Sequence, residues 1–195
     1  MSRATEMDLA EDTIFSFAFH GGAGVIQRGS LDTNEYYESL AAVCRKTYAF
    51  AEENLANDSI HAVDVAEFAV MLLEDDPRYN AGKGAVYTSA ETHEMEASIM
   101  CGDTLNCGAV SLIRSFKHPI SCARAVMEHT PHVYMVGEGA EKLAQEVGLE
   151  RVNSAYFGTE KRLRQLRVAK QAGGVFNDHD LLAAGVGAGV GGGEG

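Results

Sequence analysis

Glu94-Met95-Glu96-Ala97-Ser98-Ile99-Met100 and, one turn later, Cys107-Gly108-Ala109-Val110-Ser111-Leu112-Ile113 are the stretch that decides the fold class. Both runs mix β-formers with alternating apolar and polar side chains, the period of a strand, and turn residues separate them. Ala85-Val86-Tyr87-Thr88-Ser89 carries the same period, so an antiparallel meander of three strands is expected. On the strand that follows His93, His93 and Met95 share one face while Glu94 and Glu96 share the other. That arrangement suits an exposed edge or a polar network better than a ligand set.

Working outward, the period changes. Upstream, Tyr37, Leu40, Ala41, Cys44, Tyr48, Ala51 and Leu55 recur at steps of three and four from Asp32 onward, which predicts a long amphipathic helix. Ser59 is suited to cap a second helix whose apolar residues cover most of its circumference until Asp75-Asp76-Pro77 stops it, so this helix should be largely buried. Before both, Ile14-Phe15-Ser16-Phe17-Ala18-Phe19 reads as a buried strand entering the turn His20-Gly21-Gly22-Ala23-Gly24. Downstream, Pro119 opens a short helix through Glu128, residues 137 to 147 form another, and residues 159 to 172 form a last one. Strands grouped apart from helices argue for layered α+β packing rather than a parallel βαβ array. Residues 1–12 are polar and acidic and are expected to fray, residues 13–172 form one domain, and the glycine-rich residues 173–195 read as a flexible linker.

Composition narrows the classes of partner. The chain has 195 residues, of which 16 are basic and 28 acidic, and its net charge of -12 repels phosphate backbones and anionic headgroups. Nucleic acid and membrane are therefore not expected as partners. Residues 13–19 are too short for a membrane span and lack a cleavage pattern, so a cytoplasmic protein is expected. Cys44, Cys101, Cys107 and Cys122 form no Cys-x-x-Cys pair and are read as reduced.

Several motifs carry competing readings. In the turn at residues 20–24 consecutive glycines can aim backbone N–H groups at an anion or a developing oxyanion, and a purely structural turn stands beside that reading. A dinucleotide fingerprint fails, because Gln27 stands where its third glycine belongs. Asn80-Ala81-Gly82-Lys83-Gly84 lacks the first glycine of a phosphate loop and the hydroxyl residue after its lysine. Its carbonyls could instead cage a hard cation, or simply connect helix to strand. His93-Glu94-Met95-Glu96 lacks the second histidine or paired cysteines of a zinc site. His129 with His132, and Asp178-His179-Asp180, read as surface or packing groups. Lys161, Arg162, Arg164, Arg167 and Lys170 read as the solvated face of a helix. No nucleophile elbow or triad can be assembled from spacing.

Five segments together resemble one family: Phe19-His20-Gly21-Gly22-Ala23-Gly24; Leu72-Leu73-Glu74-Asp75-Asp76-Pro77-Arg78-Tyr79-Asn80-Ala81-Gly82-Lys83-Gly84; Glu91-Thr92-His93-Glu94-Met95-Glu96-Ala97-Ser98-Ile99-Met100; Gly108-Ala109-Val110-Ser111; and Ala123-Arg124-Ala125-Val126-Met127-Glu128-His129-Thr130-Pro131-His132. In that order they resemble the plant-type L-asparaginase and isoaspartyl aminopeptidase branch of the N-terminal-nucleophile hydrolases. The resemblance implies a four-layer αββα sandwich of which this chain is the N-terminal half, the α subunit, completed by a β subunit cut from the same precursor. It implies autoproteolysis after Gly195, freeing a threonine that becomes the nucleophile, and an (αβ)2 assembly acting on L-asparagine or β-aspartyl dipeptides. His20, Gly21, Gly22 and Asn80 are then expected to support the active centre. The backbone oxygens of Leu73, Glu74, Asp76, Tyr79, Ala81 and Lys83 are expected to surround a structural sodium ion, with no organic cofactor. The family usually places aspartate where Glu96 and Cys101 stand. A non-catalytic fragment of the same fold and a glycosylasparaginase-like enzyme are the alternatives.

Overall fold

The computed structural model describes residues 15–22, 31–55 and 60–172. Helices α1 (Leu31–Leu55) and α2 (Ala62–Asp75) precede strands β1 (Met95–Met100) and β2 (Cys107–Ile113). Helix α3 (Pro119–His129), the short strand β3 (Tyr134–Val136), α4 (Glu138–Glu146), a 3-10 turn (Ser154–Tyr156) and α5 (Glu160–Ala172) complete it. No helix among the described residues is long and apolar enough to cross a membrane.

The sheet has the order β1-β2-β3. Strands β1 and β2 pair antiparallel from Met100 opposite Cys107 to Met95 opposite Ile113, with an irregularity between Met95 and Ala97. Strand β3 runs parallel to β2, Val110 facing Met135, after the chain has crossed over through α3. The expected meander is thus corrected: residues 85–89 are not its first strand. Their polar groups close locally instead, Val86 N–H on Asn80 Oδ1 at 2.9 Å and Thr88 N–H on the Thr92 carbonyl at 2.8 Å, which removes them from any ladder. One face of β1 and β2 supplies Met95, Ile99, Val110 and Ile113 to a core shared with Phe116, Ile120, Ala123, Val126, Ala140, Ala144 and Phe157. Burying each large apolar side chain contributes roughly 1.5–3 kcal/mol. Gly108 lets α3 lie directly on β2, because a Cβ there would collide with the Ala123 carbonyl and stand 2.6 Å from the Met127 nitrogen.

Two other expectations change. Helix α2 is only half covered: Val63, Ala69 and Glu74 are buried, and Ala66 is exposed. Its N-cap is His61, whose N–H donates to Asp64 Oδ2 at 2.6 Å, while Ser59 lies outside the described residues. Residues 15–19 form no strand ladder among the described residues, yet they keep the strand's alternation, with Phe15, Phe17 and Phe19 half-buried and Ser16 and Ala18 exposed. The rings of Phe15 and Phe17 stack with centroids 6.4 Å apart, and the segment lies along Val65, Ala66, Ala69 and Leu73 of α2 around a cavity of about 230 Å³. Ile14, the first residue of that expected strand, lies outside the described residues.

Candidate functional site

The site is built where the chain leaves the apolar segment and where it leaves α2. At the turn, Gly22 has φ +118° and its N–H donates to His20 Nδ1 at 3.1 Å, so the turn needs glycine at this position. Gly21 packs onto the loop after α2: an added Cβ would stand 2.6 Å from Tyr79 Cε1 and 3.2 Å from Leu40 Cδ2. The turn and the loop, two segments that sequence could not join, therefore touch through Gly21 and Tyr79. Ala23, Gly24 and Gly195 lie outside the described residues.

Tyr79 is buried, and its hydroxyl shares a 2.9 Å hydrogen bond with Ser39 Oγ, which itself donates to Asp76 Oδ2 at 2.6 Å. Burial first, and then the Asp76 carboxylate, raise the Tyr79 phenol above its usual range. Asp76 also holds Arg78 Nη1 with both oxygens at 2.8 and 2.7 Å. From α1, Tyr36 donates its hydroxyl to the Arg78 carbonyl at 2.8 Å. The loop closes on itself where Lys83 N–H donates to the Glu74 carbonyl at 2.7 Å and Ala85 N–H to the Gly82 carbonyl at 3.1 Å. Only glycine fits at position 82, where φ is +48° and a Cβ would collide with the Glu74 carbonyl.

The six carbonyls expected around a cation divide into two sets. Those of Leu73, Glu74 and Asp76 each accept a backbone N–H, while those of Tyr79, Ala81 and Lys83 accept no hydrogen bond from the described residues. Neutral oxygens of this kind suit a hard monovalent or divalent ion. No group of three or more His, Cys, Asp or Glu among the described residues could hold a metal ion. His129 and His132 are exposed, and Asp178-His179-Asp180 lies outside the described residues. Asn80 stands exposed in the loop with its Oδ1 committed to Val86.

Glu74 has a second role that sequence reading missed. Its buried carboxyl reaches across to α3, where Oε1 accepts Ile120 N–H at 3.0 Å, so one helix caps another. Oε2 is buried with no partner among the described residues, and burial pushes the carboxyl up to about 8, opposed by the Ile120 N–H. Burial, with Glu74 nearby, also pushes the Cys122 thiol up to about 12. Next to it, Asp75 accepts from Tyr156 Oη at 3.0 Å and meets His118 Nε2 at 3.0 Å.

The strand expectations hold residue by residue: His93 and Met95 are buried, and Glu94 and Glu96 are exposed. His93 Nδ1 lies 3.3 Å from the Val86 carbonyl, its ring packs on Tyr87 with centroids 4.1 Å apart, and burial lowers its pKa. Glu94 pairs with Arg114 at 2.5 Å, and Glu96 accepts from Ser111 Oγ at 2.5 Å. The Cys101 thiol is held below its usual range by the Thr104 hydroxyl and the N–H groups of the following turn. The solvated basic face is corrected at one position. Arg162 is buried, with Nε 2.8 Å from the Gly84 carbonyl, because it points into the loop rather than away from α5. The signal was its i,i+3 spacing from Gln165, which is also buried, on one stripe of that helix.

Comparison with known proteins places the chain in one family. The family described as asparaginase matches residues 13–185. The chain is similar to the isoaspartyl peptidase of Escherichia coli (strain K12), 44% identical over 165 residues, which are 83% of this chain and 50% of that protein. It is also similar to the putative isoaspartyl peptidase/L-asparaginase of Dictyostelium discoideum, 42% identical with 83% of this chain and 46% of that protein covered. The plant-type L-asparaginase of Thermococcus kodakarensis is 42% identical, with 75% of this chain and 44% of that protein covered. The chain thus spans about half the length of these curated relatives. The match over residues 13–185, with relatives 42–44% identical, makes this chain a member of the asparaginase family that includes isoaspartyl peptidases and plant-type L-asparaginases.

Proposed function

We propose that this chain is the α subunit of a threonine-dependent amidohydrolase that converts L-asparagine to L-aspartate and ammonia and cleaves β-aspartyl dipeptides. The observation that carries the reading is the contact of Gly21 with Tyr79, which seats the His20–Gly22 turn on the Leu73–Ala85 loop. On this reading a β subunit, freed by cleavage after Gly195 and headed by threonine, completes a four-layer αββα sandwich, and two αβ units assemble. The half-covered α2 and the alternating residues 15–19, which form no ladder among the described residues, support a missing layer on that side.

The chemistry follows from the nucleophile. The threonine hydroxyl attacks the side-chain amide carbon, its proton passing to the threonine's own α-amine, whose ordinary pKa near 8 suits a base at neutral pH. The tetrahedral intermediate collapses as ammonia, or the amine of a dipeptide, leaves with a proton, and an ester links threonine to the aspartyl group. Water then hydrolyses the ester and regenerates the hydroxyl. In this scheme the described residues act as support: Gly21 lets the turn approach Tyr79, and the Ser39–Asp76 hydrogen bond fixes the Tyr79 ring from behind. The carbonyls of Tyr79, Ala81 and Lys83, with those of Leu73, Glu74 and Asp76, would hold a sodium ion. Bound there, the ion stiffens the loop without reacting.

Turnover decides the reading. Purified product of the whole coding frame should release ammonia from L-asparagine and aspartate from β-aspartyl dipeptides, and EDTA should leave both rates unchanged. Binding of asparagine without turnover would favour a non-catalytic member of the fold. Hydrolysis confined to N-glycosylated asparagine would favour a glycosylasparaginase-like enzyme.

A further inference from the structure

Arg162 sits in the first turn of α5 and is only 6% exposed, in a chain with 28 acidic residues, yet no carboxylate among the described residues pairs with it. Burying a charge without a counter-ion is costly unless dipoles replace the lost water. The dipoles here are carbonyls. Nε donates to the Gly84 carbonyl at 2.8 Å, Nη1 to Gln165 Oε1 at 3.0 Å, and Nη2 makes a longer contact with the Arg78 carbonyl at 3.4 Å. The guanidinium therefore spans both ends of the arc between residues 78 and 84.

The two anchor residues are braced from other sides as well. The Arg78 carbonyl takes the Tyr36 hydroxyl from α1, and Gly84 N–H donates to the Phe157 carbonyl at 2.8 Å. Gly84 has φ +105° and a Cβ there would stand 2.5 Å from the Pro77 carbonyl, so only glycine fits at this anchor. Between the anchors lie the carbonyls of Tyr79, Ala81 and Lys83, those of the six expected cation ligands that accept no hydrogen bond from the described residues. Fixing the ends of so short an arc restricts how the carbonyls between them can turn. Guanidinium supplies this where ammonium does not, because its planar fork holds donors at fixed mutual angles.

We propose that Arg162 is a positioning residue that holds the 78–84 arc in a shape ready for a monovalent cation, so that losing its fork weakens cation binding even though it removes a neighbouring positive charge. This rests on the sodium reading of the loop. Its electrostatic sign makes it testable, because a guanidinium acting only as a charge would repel the ion, and its removal would then tighten binding.

The test is thermal melting of the full-length gene product against sodium chloride, with choline chloride holding ionic strength constant. Wild type should melt higher as sodium rises, with a defined midpoint concentration. In R162Q that midpoint should move up by about tenfold, the size expected from losing charge-assisted hydrogen bonds. R162K, which keeps the charge and loses the fork, should move the same way. Should R162Q not fold, Gln165→Met, which removes one acceptor that orients the guanidinium, should shift the midpoint upward by a smaller factor. An unchanged or lowered midpoint in a responsive protein overturns the role of Arg162, even if the melting temperature drops equally at every sodium concentration, because that drop is what mere structural support gives. A wild type indifferent to sodium removes the cation loop itself, and this role with it.

Discussion

Two regions of the molecule have similarly apolar sequences and very different burial. Around β1, β2 and α3, Ile113, Ala123 and Val126 are 0% exposed, and a glycine at position 108 brings helix and sheet into backbone contact. Around residues 15–19, α1 and α2, three phenylalanines and a helix apolar on most sides stay half covered. Similar hydrophobicity thus goes with different cover among the described residues, and the proposed β subunit would supply what the second region lacks. Besides the Glu74 bond to Ile120, Arg124 on α3 ties the regions together by reaching Asp64 and Glu67 of α2 at 2.6 Å each. Burial opposes the charge of Arg124, but Glu128, Glu67 and Asp64 more than offset it and hold the guanidinium protonated.

The largest effect is expected in the closed half. Ile113→Ala should cost about 3–4 kcal/mol in urea unfolding, since a fully enclosed site cannot collapse around the cavity. A loss under about 1 kcal/mol would mean that the sheet and α3 are not packed as described. Arg124→Gln comes next, at roughly 2 kcal/mol, because it leaves Asp64 and Glu67 facing each other without their cation. Hydrogen exchange should show α2 amides opening sooner than those of α3 in that variant. Val65→Ser on α2 should cost less than about 1 kcal/mol in the isolated chain and clearly more in the full-length product, where the proposed β subunit covers the helix. Equal costs in both would remove the argument for a missing layer.

A pH measurement sharpens the same contrast at smaller amplitude. Burial holds the His93 imidazole below its ordinary range, so protonation favours the unfolded chain. Its contribution is complete above about pH 6.5 and is lost as pH falls through the lowered folded value. His93→Phe, which keeps the ring against Tyr87, should flatten the stability profile on the acid side of pH 6.5. An unchanged slope would place the titrating group elsewhere.

Local pattern was legible where one element answers to its own period. Helices α1, α3, α4 and α5 begin and end within a residue or two of the positions set by periodicity, Pro119 and the flanking glycines. The facing of His93 and Met95 against Glu94 and Glu96 followed from strand geometry alone. Strand β3 was not legible, since three residues between Pro131 and Gly137 carry no period, and it exists because β2 offers an edge. Residues 85–89 misled for the opposite reason: a strand-like pattern lost to local bonds with Asn80 and Thr92. In the site, the glycines could be singled out, but their partners could not. Ser39, Tyr36, the Glu74 carboxyl and Arg162 act across sequence separations that no local pattern encodes.

The proposed function requires that the reactive hydroxyl belong to a second polypeptide cut from the same precursor. Intact-mass analysis with N-terminal sequencing of the purified full-length product tests it most directly. Two chains are predicted, one ending at Gly195 and its companion opening on threonine, appearing together with the onset of ammonia release. A single uncut polypeptide that nevertheless hydrolyses asparagine, or a companion opening on any other residue, would contradict the account.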